Sequence, residues 1–155
     1  MNTSVPDTPL LEVENLSTTF MTPRGPLPAV EGVNLTLHKG QTYGLVGESG
    51  SGKTVFSRSM LQLNVSSNVQ TTGSVKFQGE ELLTKTRKEM QSIWGKEISM
   101  VFQDPMTSLN PVMKVGTQVI EHIRHHLGLG KKEARELGIE LLRSVQIPEP
   151  EARMD

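Results

Sequence analysis

Gly47, Gly52, Lys53 and Thr54 stand at the spacing G-x-x-x-x-G-K-[ST], with Glu48, Ser49, Gly50 and Ser51 between them. Each residue type meets a demand of a bound triphosphate. Glycines let the backbone curl with no side-chain collision, so successive amide N–H groups can point inward at phosphate oxygens. A helix that begins at the end of the loop adds the positive end of its dipole. Lys53 brings a compact charge to the β and γ phosphates, and the Thr54 hydroxyl is a hard oxygen ligand suited to magnesium. The eight residues therefore predict an anion cradle with a metal site, with ATP and Mg2+ as the expected pair. A glycine- and serine-rich loop that binds nothing is the competing reading, and the flanking elements argue against it.

Those elements can be read from the pattern around the loop. Thr42-Tyr43-Gly44-Leu45-Val46 is a short apolar run after the turn at Lys39-Gly40, as expected of a buried strand. From Gly52 to about Leu63, the apolar residues Val55, Phe56, Met60, Leu61 and Leu63 fall near one side of a helix. Strand, glycine loop and helix follow in the order a phosphate site requires. Upstream, Leu10 to Phe20 and Val33 to Leu37 alternate as half-buried strands, with Thr22 to Pro28 as an exposed loop between them. Downstream, Gly73 to Phe77 reads as a strand, Gln78-Gly79-Glu80 as a tight turn, and Thr86 with Glu89 as a capping box. Ile98 to Phe102 is a compact apolar run predicted to be a buried strand, stopped by Gln103-Asp104-Pro105. Val115, Val119, Ile120, Ile123 and Leu127, then Ala134, Leu137, Leu141, Leu142 and Val145, recur at helical spacing on either side of Gly128 to Gly130.

Bulk composition narrows the partners. The 155 residues suit one ordinary domain. Sixteen Lys and Arg against seventeen Asp and Glu leave a formal charge of -1, so no global positive field exists to hold a nucleic acid. The absence of cysteine excludes disulfides and thiolate metal sites within the chain. No stretch approaches the roughly 18 continuous apolar residues of a membrane span, so work at a membrane is expected to proceed by docking to another protein, without direct insertion. His122, His125 and His126 share one helix, and the first and last are spaced to share a metal, but a solvated helix face is the preferred reading because no third ligand is placed. Trp94 reads as a partly buried anchor, and Met100, Met106 and Met113 as packing residues.

With the loop at Gly47–Thr54 and the run Met100-Val101-Phe102-Gln103-Asp104-Pro105-Met106-Thr107-Ser108-Leu109-Asn110-Pro111 both in view, the sequence resembles the ATP-binding subunit of ABC transporters, in the oligopeptide and dipeptide (peptide/nickel) importer branch. Leu11-Glu12-Val13 and Glu149-Pro150-Glu151-Ala152-Arg153-Met154 are also similar to that branch, so the resemblance covers nearly the whole chain. It implies an α/β P-loop NTPase fold: a RecA-like core with an N-terminal antiparallel β subdomain, plus the start of an α-helical subdomain. The implied division is a flexible arm over 1–9, a nucleotide-binding core over 10–102, a Q-loop over 103–112 and a partial helical subdomain over 113–155.

The resemblance also implies roles. Phe20 matches the aromatic that stacks on adenine, Lys53 and Gln103 are the expected catalytic-site residues, and Gln103 joins Thr54 at magnesium and senses the γ phosphate and attacking water. Implied partners are a second ABC ATPase subunit, as a homo- or heterodimer, and membrane-spanning permease subunits, with the chain peripheral on the cytoplasmic face of the cell membrane. A Leu-Ser-Gly-Gly signature, a metal-binding Asp followed by Glu, and a switch histidine belong to that family and do not occur in these 155 residues. Binding without turnover is therefore expected, from a chain cut short of its relatives. In the related fold, strands from beyond residue 155 separate the runs near Leu45 and Met100, so an incomplete sheet and a marginally stable chain are also expected. Two alternatives stand beside this: a non-catalytic nucleotide-binding or assembly module, and an unrelated P-loop kinase or GTPase using Asp104 as its metal ligand.

Overall fold

The computed structural model describes residues 8–103 and 108–155, and the chain divides into two compact units, Met1–Ser92 and Ile93–Asp155. Most of the arm expected at the N-terminus, and the rival ligand Asp104 together with Met106, lie outside the described residues.

In the first unit, β1 (Leu11–Thr22) and β2 (Gly25–Leu37) form an antiparallel hairpin. The proline-rich stretch expected as an open loop is therefore mostly strand. Its turn is Pro23-Arg24, held by the Thr22 hydroxyl, which donates to the Gly25 carbonyl at 2.7 Å and accepts from the Arg24 amide at 3.2 Å. Pro26 and Pro28 fit because β2 is the outer strand of a sheet ordered β2-β1-β3-β4, where a missing N–H breaks no ladder. The third strand, β3 (Val69–Phe77), pairs antiparallel with β1, and the two-residue β4 (Glu80–Glu81) follows through Gln78-Gly79. Both turn residues have positive φ, 51° and 83°, the backbone of a two-residue hairpin turn. Gly73 is required within β3. It faces the irregularity between Glu14 and Ser17, where a Cβ would come within 2.6 Å of the Asn15 carbonyl oxygen.

Val13, Leu16, Val30, Val75, Leu82 and Met90 are buried around this sheet, and α1 (Lys53–Met60) adds Phe56. The helix ends in a Schellman-type turn, with the Leu63 amide on the Arg58 carbonyl at 2.8 Å and Gln62 in the left-handed region at φ 53°. Glycine is usual there. Gln62 is used instead because its side-chain amide donates to the carbonyls of Leu82 and Lys85, tying the helix end to the segment after β4.

The Thr86–Glu89 capping box opens α2 (Arg87–Met90) as expected. Its Glu89 carboxylate is held below the usual range by the Thr86 hydroxyl and amide. Glu81 is more consequential. Burial pushes its carboxyl up, but the Ser74 hydroxyl, the amides of Val75 and Leu83 at 3.0 and 2.9 Å, and the Lys76 charge together bring its pKa below the ordinary 4.5. A carboxylate favoured in the folded state contributes stability above its unfolded pKa, and that contribution is lost as pH falls through the lower folded value. Thermal melts from about pH 6 to pH 3 should therefore show a smaller acid-induced drop in Tm for Glu81→Gln than for the parent, from a lower starting Tm.

Two expected strands are not strands. Residues 42–46 have no regular secondary structure and are exposed, with Tyr43 60% and Val46 94% accessible, and over 98–102 there is only an isolated bridge between Trp94 and Ile98, with Val101 94% accessible. Apolar patterning predicts burial, but a strand also needs neighbours for its N–H and C=O groups, and the described residues offer neither run a ladder. The sheet is incomplete at these runs.

In the second unit, α3 (Val115–Leu127) and α4 (Lys131–Ser144) are joined at Gly128, which caps α3 at φ 68°, and α5 (Pro150–Arg153) follows. Of the apolar stripes read from sequence, Ile123 and Ala134 are buried, whereas Leu127, Leu141 and Val145 are exposed. The seat at the centre is made by glycines. A Cβ on Gly116 would stand 2.1 Å from the Met154 carbonyl oxygen, and one on Gly138 would stand 2.9 Å from the Met154 Cε, so the two small positions admit a fully packed Met154. Trp94 is half-buried as expected, but Met113 is 40% exposed and does not pack. His122 and His126 stack with centroids 6.4 Å apart, and His125 meets His126 edge-on at 4.9 Å. Among the described residues no group of three or more His, Cys, Asp or Glu could hold a metal, and no helix is long and apolar enough to cross a membrane.

Candidate nucleotide site

Gly47 to Gly52 lead into α1 through two left-handed glycines, Gly50 at φ 83° and Gly52 at φ 85°. The Ser51 amide donates to the Glu48 carbonyl at 3.2 Å, closing the turn, and Gly52 serves as N-cap, its carbonyl accepting from the Phe56 amide at 2.8 Å. That cap has no side chain, and the first turn carries no acidic residue. The N–H groups at the start of α1 thus keep the partial positive charge that attracts an anion.

Lys53 curls back over the loop. Its ammonium donates to the carbonyls of Gly47 at 2.7 Å and Glu48 at 2.6 Å and to the Ser51 hydroxyl at 3.1 Å. Neutral oxygens orient its charge, and no ion pair ties Lys53 to a carboxylate among the described residues. Gly47 is needed for this closure, since a Cβ there would stand 2.7 Å from the Ser51 hydroxyl oxygen. Thr54, next to Lys53 in the first helical turn, is exposed.

The remaining expected residues are placed as follows. Phe20 lies half-buried on β1, opposite Leu27 of β2 and Val69 of β3, beside the exposed side chains of Met21 and Leu27. It belongs to the same unit as the loop. Gln103 is exposed in a bend of the second unit. The structure therefore gathers Gly47, Glu48, Ser51 and Lys53 into one hydrogen-bonded cradle. Pattern reading missed what backs this cradle: a Cβ on Gly52 would fall 2.4 Å from the Ala29 carbonyl oxygen, so the loop rests directly on β2. No spacing rule in the loop could reveal that contact, because Ala29 belongs to a distant strand.

Residues 30–153 match the ABC transporter family. The chain belongs to the ABC transporter family. ABC-type relatives align over nearly all of it: a peptide import ATP-binding protein of Brucella melitensis is 49% identical over 155 residues, covering 100% of this chain and 47% of that protein. The oligopeptide transport ATP-binding protein OppD of Bacillus subtilis is 46% identical over 149 residues, covering 96% of this chain and 42% of that protein. The chain thus spans about half the length of the curated relatives it matches. Among solved structures, a dimeric bacterial ABC transporter cassette superposes with a TM-score of 0.75 at 22% identity, covering 90% of this chain and 58% of that one. The same cassette bound to ADP and Pi in a post-hydrolysis state gives a TM-score of 0.72 at 21% identity. The fold is that of an ABC ATPase cassette, as the loop and the run through Gln103 implied. An unrelated kinase or GTPase built on Asp104 is set aside by this membership.

Proposed function

We propose that this chain is the ATP-binding part of an ABC importer subunit that couples ATP to peptide transport. It would pair with a second ATPase subunit and dock on membrane-spanning permease subunits at the cytoplasmic face of the cell membrane. The observation that carries the nucleotide reading is the Lys53 ammonium, held by Gly47, Glu48 and Ser51 over the uncapped start of α1. Peptide as the cargo rests on the relatives' names.

In this reading the loop amides and the N-terminus of α1 bind the phosphate oxygens, and Lys53 exchanges its carbonyl partners for the β and γ phosphates. Thr54 and Gln103 would hold Mg2+, which neutralises charge on the triphosphate. Phe20 stacks on the adenine without reading its edge, and Gln103 orients water at the γ phosphate, since its amide both accepts and donates. The test is a binding series with ATP, ADP and AMP in the presence of Mg2+. A cradle that reads phosphates should hold AMP at least about tenfold more weakly than ATP, each charge-assisted contact being worth more than a neutral one. Equal affinity for ATP and AMP would overturn the assignment.

A further inference from the structure

Among the described residues only two polar side chains are buried in the core, Thr18 on β1 and Ser59 on α1, at 0% and 1% accessibility. Their hydroxyl oxygens lie 2.7 Å apart. The proton order follows from the neighbours. The Ser59 hydroxyl donates to the Val55 carbonyl at 2.7 Å, which uses its only proton. Thr18 must therefore donate to Ser59, which also accepts from the Asn64 side-chain amide at 2.8 Å and is then saturated. Thr71 of β3 stands 3.5 Å from Thr18 on the other side. A chain of hydroxyls thus runs from the sheet to the backbone of the first turns of α1, beside Lys53 and Thr54.

Its position relative to the cradle is specific. Thr18 pairs across the hairpin with Val30, and Ala29-Val30 is where Gly52 rests on β2. The phosphate-binding helix therefore touches one level of the hairpin twice, at Gly52 and at Ser59. From Thr18 to Phe20 the register with β3 is unbroken, so the two side chains share a face of β1. An apolar contact would let α1 slide by tenths of an ångström along β1, whereas a short, saturated hydrogen bond does not.

We infer that Thr18 and Ser59 are positioning residues for the nucleotide: their hydrogen bond fixes the separation between the Phe20 platform and the phosphate cradle, so that base and triphosphate are engaged together. This rests on the nucleotide reading of the loop and of Phe20. Misplacement by a fraction of a contact distance weakens a ligand held at both ends and leaves unaffected one held only at the phosphates.

The test compares ATP with inorganic tripolyphosphate, both with Mg2+, on the parent protein and on Thr18→Val, Thr18→Ser, Ser59→Ala and the Thr18→Val/Ser59→Ala double variant. Thr18→Val and Ser59→Ala should each weaken ATP about 3- to 10-fold, the range for one net hydrogen bond, with tripolyphosphate affinity unchanged. Thr18→Ser, which keeps the hydroxyl, should restore ATP affinity, and the double variant should be no weaker than either single one. Parental ATP affinity in Thr18→Val, or an equal loss for ATP and tripolyphosphate, overturns the inference. So does failure of both Thr18→Val and Ser59→Ala to fold, which would make the pair purely structural. A parent that binds neither ligand removes the nucleotide reading itself. A parent whose ATP binding is lost in Lys53→Ala but kept in Thr18→Val removes only the coupling.

Discussion

Replacing Lys53 with alanine is expected to weaken ATP binding roughly 10- to 100-fold, because a hydrogen bond to a charged group contributes about 1.5–3 kcal/mol. The cost in stability should be small by comparison. The ammonium's present partners, the carbonyls of Gly47 and Glu48 and the Ser51 hydroxyl, belong to exposed residues that water can satisfy once the side chain is gone. Titration calorimetry with ATP and Mg2+ should therefore show the loss while the melting temperature moves little, by less than about 0.5 kcal/mol in equivalent stability. Undiminished affinity in Lys53→Ala would mean that the cradle does not hold the triphosphate. A large fall in stability would mean that the lysine's role is to brace the loop.

Gly52→Ala should act the other way, with a loss of about 2–4 kcal/mol in stability as the primary effect and nucleotide affinity falling as a consequence. Its φ of 85° is unfavourable to any side chain, and a Cβ would meet the Ala29 carbonyl at 2.4 Å, a backbone atom that cannot swing aside. Gly50→Ala is the control. It has the same left-handed backbone at φ 83° but nothing within 4 Å of the added Cβ, so it should cost only the roughly 1–2 kcal/mol of the conformation. Chemical denaturation of the two variants side by side measures the difference. Equal costs would show that contact with β2 does not hold the loop in place.

The contrast between these glycines shows how much could be read in advance. The G-x-x-x-x-G-K-[ST] spacing identified the loop, its lysine and the helix that starts there, since all depend on residues within a few positions of one another. The same holds for the Thr86–Glu89 box, the Gln78-Gly79 turn and the two helices α3 and α4. Pattern failed wherever a distant partner decided the outcome. The prolines of Thr22 to Pro28 suggested a loop, yet Pro26 and Pro28 sit in a strand because β2 has its free side outward. The runs at 42–46 and 98–102 have strand composition and are not strands, for want of neighbours among the described residues. Gly116 and Gly138 would be discounted in any helix by propensity, but they make the seat for Met154.

The sequence alone determined the residue chemistry of the loop at Gly47–Thr54, left-handed glycines ahead of a helix with a lysine at its start, and the kinship to ABC transporters, because a glycine's φ and a lysine's charge are properties of residues a few positions apart. Only the tertiary structure decided what holds that chemistry in place: Ala29 beneath Gly52, Thr18 against Ser59, and Gln62 fastened to Leu82 and Lys85. Those contacts join residues 20 to 41 positions apart. They exist because the chain packs, and hydrogen bonding and excluded volume act through space, whatever the separation along the backbone.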